Sequence, residues 1–500
     1  MTAAGSISIN SAVAGLIIYL FLWIALLRDE WKIFPMGRGI SCLLASVLFV
    51  SSGVLTPEAA FAAIDIPTIA LLTGCMLLSA HAEKAGLHAW LCRALAAGAS
   101  PSSLLIRISI ISAVSSALIT NDTACIVLTP LVIDAARSAR RAPLPFLVAT
   151  ATAANIGSAL SPVGNPQNMI IAVVGGVKFL QFLQSIAIST LLGLIINYFI
   201  IINVYAIELN TISMSEHDEA EDSPILTTTT IQFTSSQSSS STTSSSFSGD
   251  VVTVTDAATL KTALPLTTTT SSTTTTAAVD VLASLPQVLT TTAATTLPVS
   301  NYRKRLGIGI LSIIPILLIV ADFWIGLVWA VLLAAALLFA VDGVPPAPLV
   351  AKVDGSLLFF FSGLFICTAG LNATGFPAAV WSALAPYAAL DQLSGLCVFS
   401  LLVLVGSNTI SNVPLVLLLA PALLLLSPND ARRAWLVLAW TSTVGGNLTL
   451  LGAVANVIVA ERARAAGTSV TFLGWLRAGV PSTLLCLIIG TPIVWLISKM

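Results

Sequence analysis

ITNDTACIVLTPLV (residues 119–132) and ISNVPLVLLLAPAL (residues 410–423) align without a gap at a shift of 291. Both carry a short polar tip in front of an apolar run, but the acid is not duplicated: Asp122 meets Val413. The flanks of Asp122 are IRISIISAVSSALI and ACIVLTPLVI, neither of which reads as a surface loop. A carboxylate in such surroundings needs a reason, and the alignment suggests where to look for it.

Two further matches keep nearly the same offset. DIPTIALLTGCMLLSAHAEKAG (65–86) pairs with DGSLLFFFSGLFICTAGLNATG (354–375) at a shift of 289, setting Asp65 on Asp354 and Gly74 on Gly363. GSALSPVGNPQN (157–168) pairs with GGNLTLLGAVAN (445–456) at a shift of 288, setting Gly157, Gly164 and Asn168 on Gly445, Gly452 and Asn456. Three matches in order describe two copies of one unit.

Composition says what medium the copies live in. The chain has 500 residues, 56% hydrophobic and 9% charged, with a mean hydropathy of +0.98. Soluble domains carry about a quarter charged residues, so this is an all-α polytopic membrane protein. A net charge of −1 offers nothing to a nucleic acid. The first apolar run, SAVAGLIIYLFLWIALL (11–27), lacks a basic lead and a cleavage site and reads as a membrane helix. Cys42, Cys75, Cys92, Cys125, Cys367, Cys397 and Cys486 have no paired spacing and read as buried small hydrophobes. His81, His88 and His217 are too dispersed for a metal site. No metal, cofactor or catalytic residue is called for, and an enzyme is not expected.

Three regions follow: an N-terminal transmembrane half (1–208), a disordered, Ser/Thr-rich cytosolic linker (209–305) and a C-terminal transmembrane half (306–500). Several apolar runs fall short of the roughly 20 residues that a crossing needs, and the short ones come in adjacent pairs. Taking 103–135 and 392–426 as re-entrant hairpins, and 144–175 and 433–460 as broken helices, leaves about ten crossing helices. An odd number of crossings per half makes the repeats inverted. Positive charge supports the layout: Arg28, Lys32, Arg38, Lys84, Arg93, Arg107, Arg137, Arg140 and Arg141 fall on one side, expected to be cytosolic, whereas Arg432 and Arg433 dissent.

Gly/Pro-interrupted repeats of this kind belong to secondary transporters, whose sites lie where the interruptions meet. Four interruptions should converge: 120–123, 157–168, 407–412 and 445–456. The expected solute-binding residues are Asn121, Thr123, Gly157, Ser158, Ser161, Gly164, Asn165, Asn168, Asn408, Thr409, Ser411, Asn412, Gly446, Asn447, Thr449 and Asn456. The bland alternative is that these amides and hydroxyls only hold helices together. Asp122 is the sharpest signal, because an intramembrane carboxylate costs roughly 2.5–3.5 kcal/mol and marks function by default. A carboxylate withdrawn from water holds its proton more tightly, which suits a proton-coupling group. A helix-capping duty for Asp122 is the competing reading. Asp65 and Asp354, each ahead of an apolar run, are expected to be helix caps near the surface.

With these residues in view, TNDTACIVLTPLV followed by ATAANIGSALSPVGNPQNMIIA (151–172) resembles the ion-transporter superfamily of arsenite permeases and sodium/proton antiporters. Within it the likeness is greatest to plant silicic-acid efflux transporters, and SNVPLVLLLAP with GGNLTLLGAVANVIVAERA fits the second-half signature. The resemblance spans residues 33–208 and 306–497. It implies that hairpin tips and broken-helix loops bind the solute and that a proton drives its export, a natural role for Asp122. One departure is that the second loop has Gly-Ala-Val-Ala-Asn where the first has Gly-Asn-Pro-Gln-Asn, so the two need not contribute equally. The expected function is proton-coupled efflux of a small oxyacid, silicic acid or arsenite, by alternating access. Sodium/proton antiport and sodium-coupled dicarboxylate transport are the alternatives. The expected partners are a small inorganic solute, protons or sodium and the lipid bilayer, the plasma membrane being the favoured location, with homodimerisation left open.

Overall fold

A computed structural model describes residues 9–27, 38–85, 100–210, 316–342 and 345–499. Nearly all of the expected linker therefore lies outside the described residues, as do Cys92, His88, His217 and the start of the apolar run at 306–321. The described residues contain helices and no strand. Six helices are long and apolar enough to cross a membrane: Ile66–Lys84, Pro101–Ile119, Phe179–Val204, Gly355–Ala373, Leu393–Ile410 and Phe472–Ile497. Shorter apolar helices accompany them, and the chain is a multi-pass membrane protein.

Local chemistry sets the helix starts. Asp65 Oδ1 accepts from the amide of Thr68 at 2.8 Å, and Asp354 Oδ1 accepts from that of Leu357 at 3.0 Å. Both acids are caps, as their positions ahead of apolar runs suggest, and their backbone angles coincide (φ −77°, ψ 89° and φ −75°, ψ 89°).

The expected paired runs are present. The first hairpin comprises Pro101–Ile119 and Asn121–Ser138, joined by Thr120 alone; the second comprises Leu393–Ile410 and Asn412–Leu423, joined by Ser411 alone. Their first arms, at 19 and 18 residues, are as long as crossing helices. The first broken helix runs Leu144–Ser158 and resumes at Pro166–Val174; the second runs Pro428–Gly445 and resumes at Val454–Ala465. Five of the cysteines are buried as expected, but Cys397 is exposed. It lies on the outward face of Leu393–Ile410, a helix with apolar residues on all sides, so hydrophobicity alone could not assign its direction.

The most extensive helix packing falls inside two groups. Ile9–Leu27, Arg38–Ser51, Ile66–Lys84, Leu327–Asp342 and Gly355–Ala373 form one; the hairpins, the broken helices, Phe179–Val204 and Phe472–Ile497 form the other. Within each, contacts between the chain halves are reciprocal. Arg38–Ser51 packs on Gly355–Ala373, while Ile66–Lys84, the counterpart of the latter, packs on Leu327–Asp342. Likewise Asn121–Ser138 packs on Val454–Ala465, and Pro166–Val174 on Asn412–Leu423. Close approach is built from small residues, as membrane interfaces require. A Cβ on Gly74 would stand 2.7 Å from Val331, and one on Gly363 would stand 2.8 Å from Cys42.

Candidate functional site

Two of the three described non-glycine residues with positive φ are the hairpin turns, the third being Arg140. Thr120 has φ 81° and ψ 144°, and Ser411 has φ 73° and ψ 158°. A side chain costs about 1–3 kcal/mol in such a conformation, and strain of this kind gathers at functional sites. Its effect here is to reverse the chain in one residue, so that the second arm begins at the tip with its free amides pointing there. Thr120 caps that arm: its hydroxyl accepts from the amide of Thr123 at 3.5 Å and donates to Thr123 Oγ1 at 3.0 Å. Thr120 is thus the N-cap of this arm. Asp122 stands in the arm's first turn, partly buried, where a negative charge complements the helix dipole. Its own amide donates to Asn121 Oδ1 at 2.9 Å.

Breaking a helix inside a membrane frees carbonyls that must find donors. Asn168 Nδ2 donates to the carbonyls of Ser158 (3.1 Å) and Ser161 (3.4 Å). Asn456 Nδ2 does the same for Gly446 (2.8 Å) and Thr449 (3.1 Å), each the counterpart of the other at a shift of 288. The loops are folded so tightly that only glycine fits at their inner bend. A Cβ on Gly164 would stand 2.4 Å from the carbonyl oxygen of Ser158, and one on Gly452 would stand 2.7 Å from that of Gly446.

The two broken helices then brace each other. Asn155, in the middle of the first, donates Nδ2 to Asn447 Oδ1 (2.7 Å) and Asn456 Oδ1 (2.8 Å), and its own Oδ1 accepts from Asn121 Nδ2 (2.9 Å). Its counterpart Thr443 donates to Asn168 Oδ1 (3.2 Å) and accepts from Gln167 Nε2 (3.2 Å). Asn447 also donates to the Thr152 carbonyl (3.1 Å), and its carbonyl accepts from Trp475 Nε1 (2.9 Å).

Where the tips and loops meet, a cavity of about 330 Å³ opens at the boundary between the two helix groups. Its polar lining comprises Asn121, Asp122, Asn165 and Gln167 from the first half, with Asn408, Thr409, Ser411, Asn412 and Thr449 from the second. Its apolar lining includes Trp23, Leu357, Phe360, Phe361, Leu364 and Phe472. Among the described residues no Lys, Arg or His lines the cavity, and Asp122 is the one carboxylate. Asn412 Oδ1 is buried with no protein hydrogen bond among the described residues.

Of the residues expected to bind solute or protons, Asn121, Asp122, Asn165, Asn408, Thr409, Ser411, Asn412 and Thr449 line this cavity together. The others stand behind it. Thr123 is engaged by Thr120, Ser158 and Ser161 present carbonyls to Asn168, and Gly446 presents its carbonyl to Asn456. Asn168, Asn447 and Asn456 are fully buried braces. Gly157 lets two helices touch, since a Cβ there would stand 2.3 Å from Ala113 Cα, and Gly164 turns the loop. Three participants were not expected: Thr120, Asn155 and Gln167. Asn155 carries a legible signal, an amide in the middle of the apolar run FLVATATAANIGSAL (146–160); Thr120 and Gln167 stand within interruptions already noted.

The family described as citrate transporter (CitMHS) matches residues 18–445, most of the chain. The chain belongs to the citrate transporter family. Among this family member's relatives, a silicon efflux transporter from Oryza sativa subsp. japonica is 35% identical over 497 residues, 97% of this chain and 98% of that protein. A putative transporter arsB from Dictyostelium discoideum is 39% identical over 511 residues, 94% of this chain and 89% of that protein. An uncharacterized transporter from Mycobacterium tuberculosis is 24% identical over 470 residues, 91% of this chain and 92% of that protein. This citrate-transporter-family chain is accordingly a membrane transporter of the same type as these proteins.

Proposed function

We propose that the protein exports a small, largely uncharged oxyacid, silicic acid first and arsenous acid second, by proton-coupled alternating access. The observation that carries this reading is the chemistry of the cavity lining, which among the described residues consists of amides, hydroxyls, apolar side chains and one carboxylate, with no fixed cation. Citrate and dicarboxylates need cationic or strongly donating partners, and Asp122 repels them. A neutral polyhydroxy acid instead offers several hydroxyl groups that both donate and accept. Asn412 Oδ1, buried and without a protein donor, is an acceptor for one of them.

Asp122 is the proton carrier in this reading, since its partly buried carboxylate is the one acidic group at the cavity among the described residues. Protonation removes a charge from the tip and biases the facing of the cavity; release restores it. The reciprocal packing and the recurring turn geometry support two inverted repeats, with hairpins entering from opposite faces and the cavity near the midplane. The segment 209–305 serves as a cytosolic tether, and export fits a plasma-membrane location.

Vesicles loaded with silicic acid, arsenite, sodium, citrate or succinate and given an imposed pH gradient test the reading. Release of silicic acid or arsenite driven by the gradient is expected. Gradient-driven sodium movement without oxyacid release overturns it in favour of sodium/proton antiport, and release of citrate or succinate alone overturns it in favour of carboxylate transport.

A further inference from the structure

Behind the second hairpin's tip lies another cavity, of about 410 Å³. Trp23 and Ile410 belong to the walls of both cavities, so the Trp23 indole is part of the partition between them. Its Nε1–H donates to the backbone carbonyl of Thr409, two residues before the positive-φ Ser411. One side of the ring thus faces the polar cavity, and its polar edge holds the hairpin tip.

The space behind is of a different character. Among the described residues that line it, only Tyr19, Trp23 and Trp381 have side chains with a polar atom. Phe399, 1% exposed and edge-on to Trp381 with ring centroids 6.3 Å apart, belongs to its buried floor. Leu20, Phe376 and Val380, at its rim, are 54%, 51% and 41% exposed. The groove therefore opens sideways onto the apolar surface that a multi-pass protein gives to the bilayer, a surface to which Ile17 on Ile9–Leu27 and Leu401 on Leu393–Ile410, both exposed, also belong. Water finds few bonding partners in such a space, and the medium at its mouth is hydrocarbon.

We propose that an acyl chain of a membrane lipid occupies this groove and backs Trp23 against the tip of the second hairpin. The bilayer then forms part of the wall that keeps the Trp23–Thr409 bond dry and the solute cavity closed on its lipid side. This holds whichever solute the cavity carries.

The test uses the full-length protein in phosphatidylcholine vesicles whose lipid carries a diazirine at mid-chain. After irradiation, adducts are mapped by peptide mass spectrometry. Label is expected on the buried floor, at Phe399 and Leu371, as well as on the outward residues Ile17 and Leu401. Label confined to outward residues overturns the proposal. Val380→Trp places an indole over the groove's mouth at an exposed position, where folding is not at stake. It is expected to cut floor labelling at least several-fold and leave Ile17 labelling unchanged; floor labelling that persists at the wild-type level overturns the proposal as well.

Discussion

Asn155 donates its side-chain amide to Asn456 Oδ1 at 2.8 Å, across 301 residues of chain, and so locks the middle of one broken helix to the restart of the other. The bond has a reciprocal in Thr443 and Asn168, which means that each half supplies a brace the other cannot make alone. Asn155→Ala strands Asn121 Nδ2, Asn447 Oδ1 and Asn456 Oδ1. At about 0.6 kcal/mol or more per bond inside a membrane, the loss is on the order of 2 kcal/mol. A clear fall in the melting temperature in detergent and at least a tenfold drop in efflux are expected. Asn155→Asp sets acceptor against acceptor and should be worse at neutral pH; its melting temperature should recover in acid, where a protonated carboxyl donates again.

The two equivalent asparagines at the hairpin tips should separate binding from stability. Asn121 bonds to Asn155 and to its own neighbour's amide, whereas Asn412 Oδ1 has no protein donor. Asn121→Ala is expected to lower both the melting temperature and transport. Asn412→Ala is expected to raise the solute concentration for half-maximal efflux several-fold with a melting shift within about 0.5 kcal/mol.

Asp122→Asn keeps the shape of the tip and removes its charge. The melting temperature should stay near the wild-type value, while a pH gradient no longer accelerates efflux in loaded vesicles. Unchanged gradient-driven efflux would remove Asp122 from the coupling.

Strain at the two turns predicts an asymmetric pair of glycine variants. Ser411 has no side-chain cap bond, so Ser411→Gly should raise stability by about 1 kcal/mol through relief of its positive φ. Thr120→Gly relieves the same strain but loses the bonds to Thr123, and the two effects should nearly cancel. Thermal melts of the two variants side by side decide this.

Gly157→Ala places a methyl 2.3 Å from Ala113 Cα, in backbone that cannot yield. A loss of about 1–3 kcal/mol and a matching drop in folded yield are expected. Gly355→Ala, where a Cβ meets nothing within 4 Å, is the control and should be neutral or slightly stabilising.

Much of this architecture is legible in one sequence because it depends on local rules. Helix starts at Asp65 and Asp354 follow from a cap residue ahead of an apolar run, and both caps form the expected bond. The helix breaks follow from Gly, Pro and Asn inside runs too apolar to be loops, and observed ends lie within a few residues of the expected ones for most elements. The second broken helix is the largest miss, running from Pro428 to Ala465 where 433–460 is expected, because Ser427 caps an earlier start and the loop folds back under Asn456 before the helix resumes at Val454.

Which polar residues face the cavity and which face each other is another matter. Asn165 and Asn168 stand three residues apart in the same loop, yet the first lines the cavity and the second is wholly buried against Ser158 and Ser161. Asn155 was overlooked for the same reason: its three partners lie 34, 292 and 301 residues away. The order of apolar runs, the repeat and the lone acid were written into the chain by periodicity and composition. The division of the amides into a cavity-facing set and a bracing layer behind it arises only when two distant helix breaks are pressed together, because a hydrogen bond between side chains depends on where both ends arrive.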